Sequence, residues 1–231
     1  MKELSIIIPA YNEAETINPN LRELQRTLIK NNIVADIIVV DDGSADFTYH
    51  CISQDPKIVS CQLEKNMGKG EAIRQGFGYV KTPYTMFFDA DLDIHPYHIP
   101  LMMTMLKVTG SDCVIGSKLH PSSMVSTSPM RKFLSWGYFI LVKLLFGLKC
   151  RDTQTGIKLF KTEVLKKVMP KTRSRRFAFD LELLVNIYKE NYKVREMCVE
   201  VSQKRKSRLH IGNVWNIFVE TMVIWYRNQR R

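Results

Sequence analysis

The stretch LSIIIPAYNE, residues 4–13, decides the fold. Leu4, Ile6, Ile7 and Ile8 make a nearly continuous apolar run, which reads as a strand buried on both faces. It ends at Pro9, and the polar segment Ala10-Tyr11-Asn12-Glu13 follows. Strands buried on both faces belong to parallel sheets covered by helices. Outward from this strand the pattern repeats. Thr16 to Lys30 places Leu21, Leu24 and Leu28 on one helical face, and Asp36 to Val40 is a second buried strand that closes on Asp41-Asp42-Gly43-Ser44. Asp46 to Gln54 reads as a short helix, Ile58 to Leu63 as a strand and Gly70 to Val80 as a helix. Tyr84 to Phe88 is a strand, Pro96 to Lys107 a helix and Asp112 to Ile115 a strand. This alternation predicts an α/β fold with a mostly parallel central sheet and helices on both faces.

The second half breaks the alternation. Ile157 to Phe160 reads as a strand antiparallel to the rest, Lys161 to Val168 and Phe179 to Glu190 as helices, and Val194 to Val201 as a strand. Phe133 to Leu148, FLSWGYFILVKLLFGL, contains Lys143, Ser135 and two glycines, and falls short of the roughly 20 apolar residues a membrane span needs. Arg131 and Lys132 precede it, and Lys149 and Arg151 follow. It reads as an amphipathic helix lying in a membrane interface with Lys143 snorkelling, the alternative being a buried core helix. Val214 to Tyr226 repeats the pattern, with Trp215, Phe218, Met222 and Trp225 at helical spacing.

At 231 residues, 45% hydrophobic and 25% charged, the chain is neither disordered, nor collagen-like, nor a disulfide miniprotein. Its 34 Lys+Arg against 23 Asp+Glu leave +11, which calls for a polyanionic partner: nucleic acid, anionic lipid or a phosphorylated ligand. Two basic runs, KTRSRR at 171–176 and KRKSR at 204–208, carry much of the surplus. Nucleic acid is the weaker match, because no RNP-type or helix-turn-helix pattern is present and such a role leaves the acidic strand ends unexplained. The five cysteines are odd in number and form no C-x-x-C pair, as expected of idle thiols in a reducing compartment. The N-terminus enters a strand directly, without the pattern of a signal peptide, so a cytoplasmic location is expected.

Ligands of open α/β sheets bind at the carboxyl ends of the strands. Three polar turns fall there: Pro9 to Glu13, Asp41 to Ser44, and Asp89-Ala90-Asp91-Leu92-Asp93. Clustered carboxylates call for a cation, and Asp-x-Asp suits Mg²⁺ or Mn²⁺ that also bridges phosphates. Met67-Gly68-Lys69-Gly70 opens a helix but fits neither the P-loop nor the dinucleotide fingerprint. It is either an anion cradle of backbone N–H groups and an ammonium, or a plain tight turn. Asp180 and Glu182 either support the site or are an ordinary acidic pair at a helix start. His95 and His98 complete no zinc-type spacing and read as loop or helix-start residues.

The segments IIIPAYNE, VVDDGS, NMGKGEAIRQG, FFDADLD, GSKLH, RDTQTGIKLF and FAFDLELL, in order over roughly Leu4 to Leu184, resemble family 2 of the glycosyltransferases, with the GT-A fold. More narrowly they are similar to enzymes that move a sugar from a nucleotide onto a polyprenyl monophosphate, the dolichyl-phosphate mannosyl- and glucosyltransferases. The resemblance implies a single domain over 1–231, with a nucleotide-sugar-binding half at 1–117 and an acceptor-binding half at 118–231 carrying interfacial helices near 131–148 and 213–227. It implies that Pro9, Tyr11, Glu13, Asp41, Asp42, Lys69, Asp89 and Asp91 bind the donor, and that Asp89, Asp91 and Asp93 hold a divalent cation. Lys118, Arg131, Ser207 and Arg208 would meet the acceptor phosphate, and Asp91, Arg131 and Lys118 would carry the catalysis. Asp93 stands where relatives often have Gln, Lys118 where they often have Arg, and Lys206-Ser207-Arg208 where they tend to have Gly-Ser-Lys.

The implied reaction inverts the anomeric centre by in-line displacement through an oxocarbenium-like state. A phosphate monoester, with a second pKa of roughly 6, needs no general base to act as nucleophile. The implied partners are GDP-mannose or UDP-glucose, a polyprenyl or dolichyl phosphate, an anionic membrane surface met peripherally from the cytoplasm, and a small membrane protein, with no nucleic acid. RDTQTG and FAFDLELL lean toward the glucosyl type and DADLD toward the mannosyl type. The alternative is a family 2 enzyme with a saccharide acceptor. A polysaccharide synthase is disfavoured by the missing Gln-x-x-Arg-Trp motif, and a nucleotidyltransferase by the lack of a glycine-rich loop after the first strand.

Overall fold

A computed structural model describes residues 2–53, 55–125, 129–176, 178–201 and 211–229. Its elements in chain order are β1 (Leu4–Ala10), α1 (Ile17–Lys30), β2 (Ala35–Asp41), α2 (Thr48–Ser53), β3 (Ile58–Gln62), α3 (Lys69–Phe77), β4 (Tyr84–Phe88), α4 (His98–Thr109) and β5 (Cys113–Ser117). There follow β6 (Met124–Val125), α5 (Pro129–Phe146), β7 (Ile157–Lys161), α6 (Thr162–Val168), α7 (Phe179–Lys189), β8 (Val194–Cys198), β9 (Glu200–Val201) and α8 (Ile211–Gln229).

The main sheet has seven strands in the order β3-β2-β1-β4-β7-β5-β8. Strand β7 runs antiparallel to β4 and β5, and every other pairing in this sheet is parallel. Strand order reverses between β1 and β4, so the crevice at their carboxyl ends is the topological switch point where such sheets bind ligands.

Side-chain alternation builds two cores. Leu4, Ile6 and Ile8 of β1 join Met86 and Phe88 of β4 under Leu21, Leu24 and Leu28 of α1. Ile7, Ile38, Val40 and Phe87 face the other way, toward Ile73 of α3, Val164 and Leu165 of α6, and Leu184 of α7. Phe87 anchors that second core, with ring centroids 4.9 Å from Phe160 and 6.3 Å from Phe179. The hydroxyls on this face are paired, Ser5 with Thr82 and Thr85 with Thr162, each at 2.8 Å.

Two elements differ from expectation. The run Val194 to Val201 is split, because the backbone of Val199 turns away to Ser123 Oγ (2.9 Å) and Met124 (3.1 Å). Strand β9 then pairs with β6 in a small parallel sheet, and β6 is too short to be read from sequence. Helix α5 begins four residues before Phe133 and is not a core helix: Phe133, Trp136 and Leu144 are 68%, 57% and 79% exposed. It packs on α8, where Tyr138 Oη and Thr221 Oγ1 lie 3.1 Å apart. No described helix is long and apolar enough to cross a membrane.

Candidate active site

The turns after β1, β2 and β4 converge at the switch point. They form a cleft of about 390 Å³ lined by Pro9, Tyr11, Glu13, Asp42, Lys69, Asp89, Asp91 and Arg176. Seven of these were expected donor-binding residues. The eighth expected one, Asp41, faces away: it is fully buried and accepts hydrogen bonds from the Ser44 hydroxyl and from Gln62 Nε2 at 2.9 Å. Asp41 thus holds the turn that presents Asp42.

The Gly-Lys-Gly start of α3 serves the cleft wall. The backbone N–H groups of Met67 (2.7 Å) and Gly68 (2.9 Å) donate to the Asp42 carboxylate. Burial still raises the Asp42 pKa against the pull of these donors and of Arg176. Gly68 has φ +100°, and a Cβ there would stand 2.6 Å from the carbonyl oxygen of Arg175. This close approach brings the loop bearing Arg176 to the rim. Arg176 was read only as part of a basic run; its neighbours in that run, Lys171 and Arg175, instead pair with Glu190 and Glu71.

The Lys69 ammonium lies 2.8 Å from Asp89 Oδ1 and 3.3 Å from Asp180 Oδ2. Lys158 Nζ stands 2.8 Å from Asp180 Oδ1. Burial pushes the Asp180 pKa up, and Lys158 and Lys69 more than reverse it, so the group is lowered and stays a carboxylate. For Lys69 burial lowers the pKa, and Asp180 and Asp89 more than compensate, raising it. Glu182 accepts N–H bonds from Arg173 (2.9 Å) and Ser174 (2.6 Å). Neither Asp180 nor Glu182 is a plain helix-start charge. Lys158 was missed, although a lysine inside the apolar run Ile157 to Phe160 signals a buried charge that needs a partner.

Asp91 is the carboxylate whose titration is most displaced toward neutrality. Burial, then Asp89 and Asp93, raise its pKa to about 6, against the Asp93 N–H bond and Lys118. Like charges held this way, all with oxygen ligands, fit a hard divalent cation. Among the described residues no three His, Cys, Asp or Glu side chains are arranged to cage a metal. Two carboxylates alone would leave most of a hard cation's coordination to oxygens from outside the protein.

Asp93 and Lys118 belong to a neighbouring cavity of about 480 Å³ with Lys132, Phe133 and Trp136. Lys118 also lines, with Arg151 and Asp152, a groove of about 490 Å³ between α5 and α8 whose apolar lining includes Leu134, Leu141, Val142, Ile217 and Phe218. Its backbone N–H donates to Asp152 Oδ2 at 2.8 Å, and the Thr155 hydroxyl donates to the same oxygen at 2.5 Å. Arg131 lies in the first turn of α5, its side chain outside the described set, and Ser207 and Arg208 fall outside the described residues altogether. His98 packs between elements, its Nε2 accepting the Glu200 N–H at 3.2 Å.

Residues 5–169 match the model of glycosyl transferase family 2. A dolichyl-phosphate beta-glucosyltransferase of Trichomonas vaginalis is 29% identical over 95% of this chain and 70% of its own. The dolichyl-phosphate beta-glucosyltransferase of Saccharomyces cerevisiae is 31% identical over 90% of this chain and 70% of its own. Among solved structures, glucosyl-3-phosphoglycerate synthase from Mycobacterium tuberculosis, in complex with Mn²⁺, UDP-glucose and phosphoglyceric acid, superposes with a TM-score of 0.74 at 17% identity. That match covers 97% of this chain and 80% of the other, and at such identity it speaks for the fold alone.

Proposed function

The chain belongs to glycosyl transferase family 2 and is a glycosyltransferase; from that premise we propose that it moves a hexosyl group from a nucleotide sugar to a polyprenyl or dolichyl monophosphate at the cytoplasmic face of a membrane. The observation that carries the reading is the apolar groove between α5 and α8, which shares Lys118 with the cavity lined by Asp93, two residues from Asp91 of the cleft. A prenyl chain matches the groove, and its phosphate matches the lysine. The names of the relatives support this acceptor and favour glucose over mannose. On this reading residues 1–117 bind mainly the donor and 118–231 mainly the acceptor.

The donor nucleoside rests against Pro9, Tyr11 and Asp42, with Arg176 at the rim. Asp91, with Asp89, would hold a Mg²⁺ or Mn²⁺ ion, which when bound supplies positive charge to the leaving diphosphate. Lys118, and Arg131 from the start of α5, offset the repulsion between the acceptor phosphate and the donor diphosphate. The acceptor is already anionic near neutral pH, with a second pKa of roughly 6, and needs no base. Asp180 supplies none, because two ammonium groups hold its carboxylate. Exposed apolar side chains of α5, flanked by basic residues, seat the protein on an anionic bilayer.

The test is a panel of UDP- and GDP-hexoses offered with polyprenyl phosphate and Mn²⁺ or Mg²⁺, with label counted in the lipid phase. Transfer from UDP-glucose is expected to lead. Transfer only to soluble saccharides would replace this reading with that of a saccharide-acceptor enzyme.

A further inference from the structure

Four ionic side chains stand in one line from the second core to the cleft. Lys158 Nζ is 2.8 Å from Asp180 Oδ1, Lys69 Nζ is 3.3 Å from Asp180 Oδ2, and the same Nζ is 2.8 Å from Asp89 Oδ1. Lys158 and Asp180 are 1% and 3% exposed, so each depends on a protein partner. Lys158 also donates to the carbonyl oxygen of Thr155 at 2.5 Å, which fixes the far end of the line. Two ammonium groups and two carboxylates sum to zero, so the line is electrically complete without an outside ion.

Lys69 and Asp89 are the members that reach the cleft, their side chains 29% and 38% exposed. The two Asp89 oxygens are not equivalent. Oδ2 lies against Gly156, where a Cβ would stand only 2.1 Å away, and the glycine carbonyl holds the Asp89 backbone N–H at 3.0 Å. Backbone thus blocks one side of the carboxylate. Oδ1 is the oxygen away from that contact, and it carries the Lys69 ammonium.

We propose that Lys69 is a built-in counter-ion that competes with the divalent cation for Asp89 Oδ1, with Asp180 and Lys158 as the positioning residues that hold its ammonium there. Lys69 neutralises Asp89 while the cleft is empty. When a cation takes Asp89, the ammonium stays with the buried Asp180 and faces the incoming diphosphate. The arrangement disfavours cation binding without nucleotide, because the cation must displace an ammonium that the diphosphate would otherwise welcome. This rests on Asp89 and Asp91 being the cation-holding residues, but not on the identity of sugar or acceptor.

The experiment is titration of the full chain with Mn²⁺ alone, following free Mn²⁺ by electron paramagnetic resonance, on wild type, Lys69→Met, Asp89→Asn and Lys69→Met/Asp89→Asn, with melting curves as the fold check. Lys69→Met should bind Mn²⁺ about tenfold more tightly than wild type, Asp89→Asn should bind it more weakly than wild type, and the double variant should bind no more tightly than Asp89→Asn, as a direct coupling requires. Lys69→Arg should stay near wild type. Lys69→Gln keeps a donor for Asp180 and should show the same tightening if Met is not tolerated. Unchanged affinity in both Met and Gln variants, or a gain that persists without Asp89, overturns the proposal. Asp91→Asn separates the two levels. If it abolishes Mn²⁺ binding while Lys69 variants do nothing, the competition fails alone; if it too does nothing, the cation reading of the cleft fails with it.

Discussion

The backbone N–H of Asp89 donates to the carbonyl oxygen of Gly156 at 3.0 Å, and a Cβ added to Gly156 would stand 2.1 Å from Asp89 Oδ2 and 2.9 Å from its Cβ. The end of β4 and the approach to β7 are therefore in register only with a glycine at 156. The antiparallel strand thereby sets where the first carboxylate of Asp-Ala-Asp points.

It follows that Gly156→Ala should turn the Asp89 side chain out of place while leaving the sheet intact. UDP binding in the presence of Mn²⁺, measured by calorimetry, should weaken about tenfold or more, with a far smaller change in melting temperature. Such a loss is the size expected when a charged binding group is misplaced by about an ångström. Unaltered binding would mean that Asp89 does not face the donor.

Asp91 gives a pH dependence with a definite sign. Its pKa is about 6 in the fold against 3.8 as a reference, so the fold prefers the protonated form. Ionised Asp91 therefore destabilises the protein above about pH 6, and this penalty disappears as pH falls through that value toward 3.8. Asp91→Asn should raise the melting temperature at pH 7, by on the order of 2 kcal/mol of stability. The difference from wild type should vanish near pH 4. A destabilised Asp91→Asn at pH 7 would contradict the cost ascribed to burial of the Asp91 charge beside Asp89 and Asp93.

Helix α5 predicts membrane behaviour. Phe133 and Leu144, 68% and 79% exposed, contribute little to the fold. Phe133→Glu/Leu144→Glu should keep the melting temperature within a few degrees and release the protein from phosphatidylserine vesicles in a flotation assay. Exposed apolar side chains backed by basic residues bind such surfaces through both terms. Wild type that floats free of these vesicles at low salt would refute the docking role.

Most of the sheet was legible, because strands buried on both faces write long apolar runs such as Ile6 to Ile8 and Ile37 to Val40, and their polar turns mark one end of it. Strand β7 was legible from Ile157, Leu159 and Phe160 despite the lysine between them. The two-residue strands β6 and β9 were not, since their pairing depends on the Ser123 hydroxyl and not on any pattern of their own. Within the site, sequence placed Asp42, Lys69, Asp89 and Asp91 at the cleft but did not separate Asp41, which one step of alternation turns into the protein. Asp93 was grouped with Asp89 and Asp91, whereas it lines the neighbouring cavity with Lys118. The Lys158–Asp180–Lys69–Asp89 line was invisible because its members come from β7, α7, α3 and the turn after β4 and meet only in space. Arg176 was hidden by its own run, where the sequence offers charge but no direction.

The most direct measurement of the central claim is mass spectrometry of polyprenyl phosphate recovered from incubation with the protein, Mn²⁺ and either UDP-glucose or GDP-mannose. The account predicts a lipid heavier by one hexosyl residue, formed from UDP-glucose and absent with Asp91→Ala. Recovery of unmodified lipid with both donors, by a folded protein that nonetheless hydrolyses or transfers from a nucleotide sugar elsewhere, would contradict it.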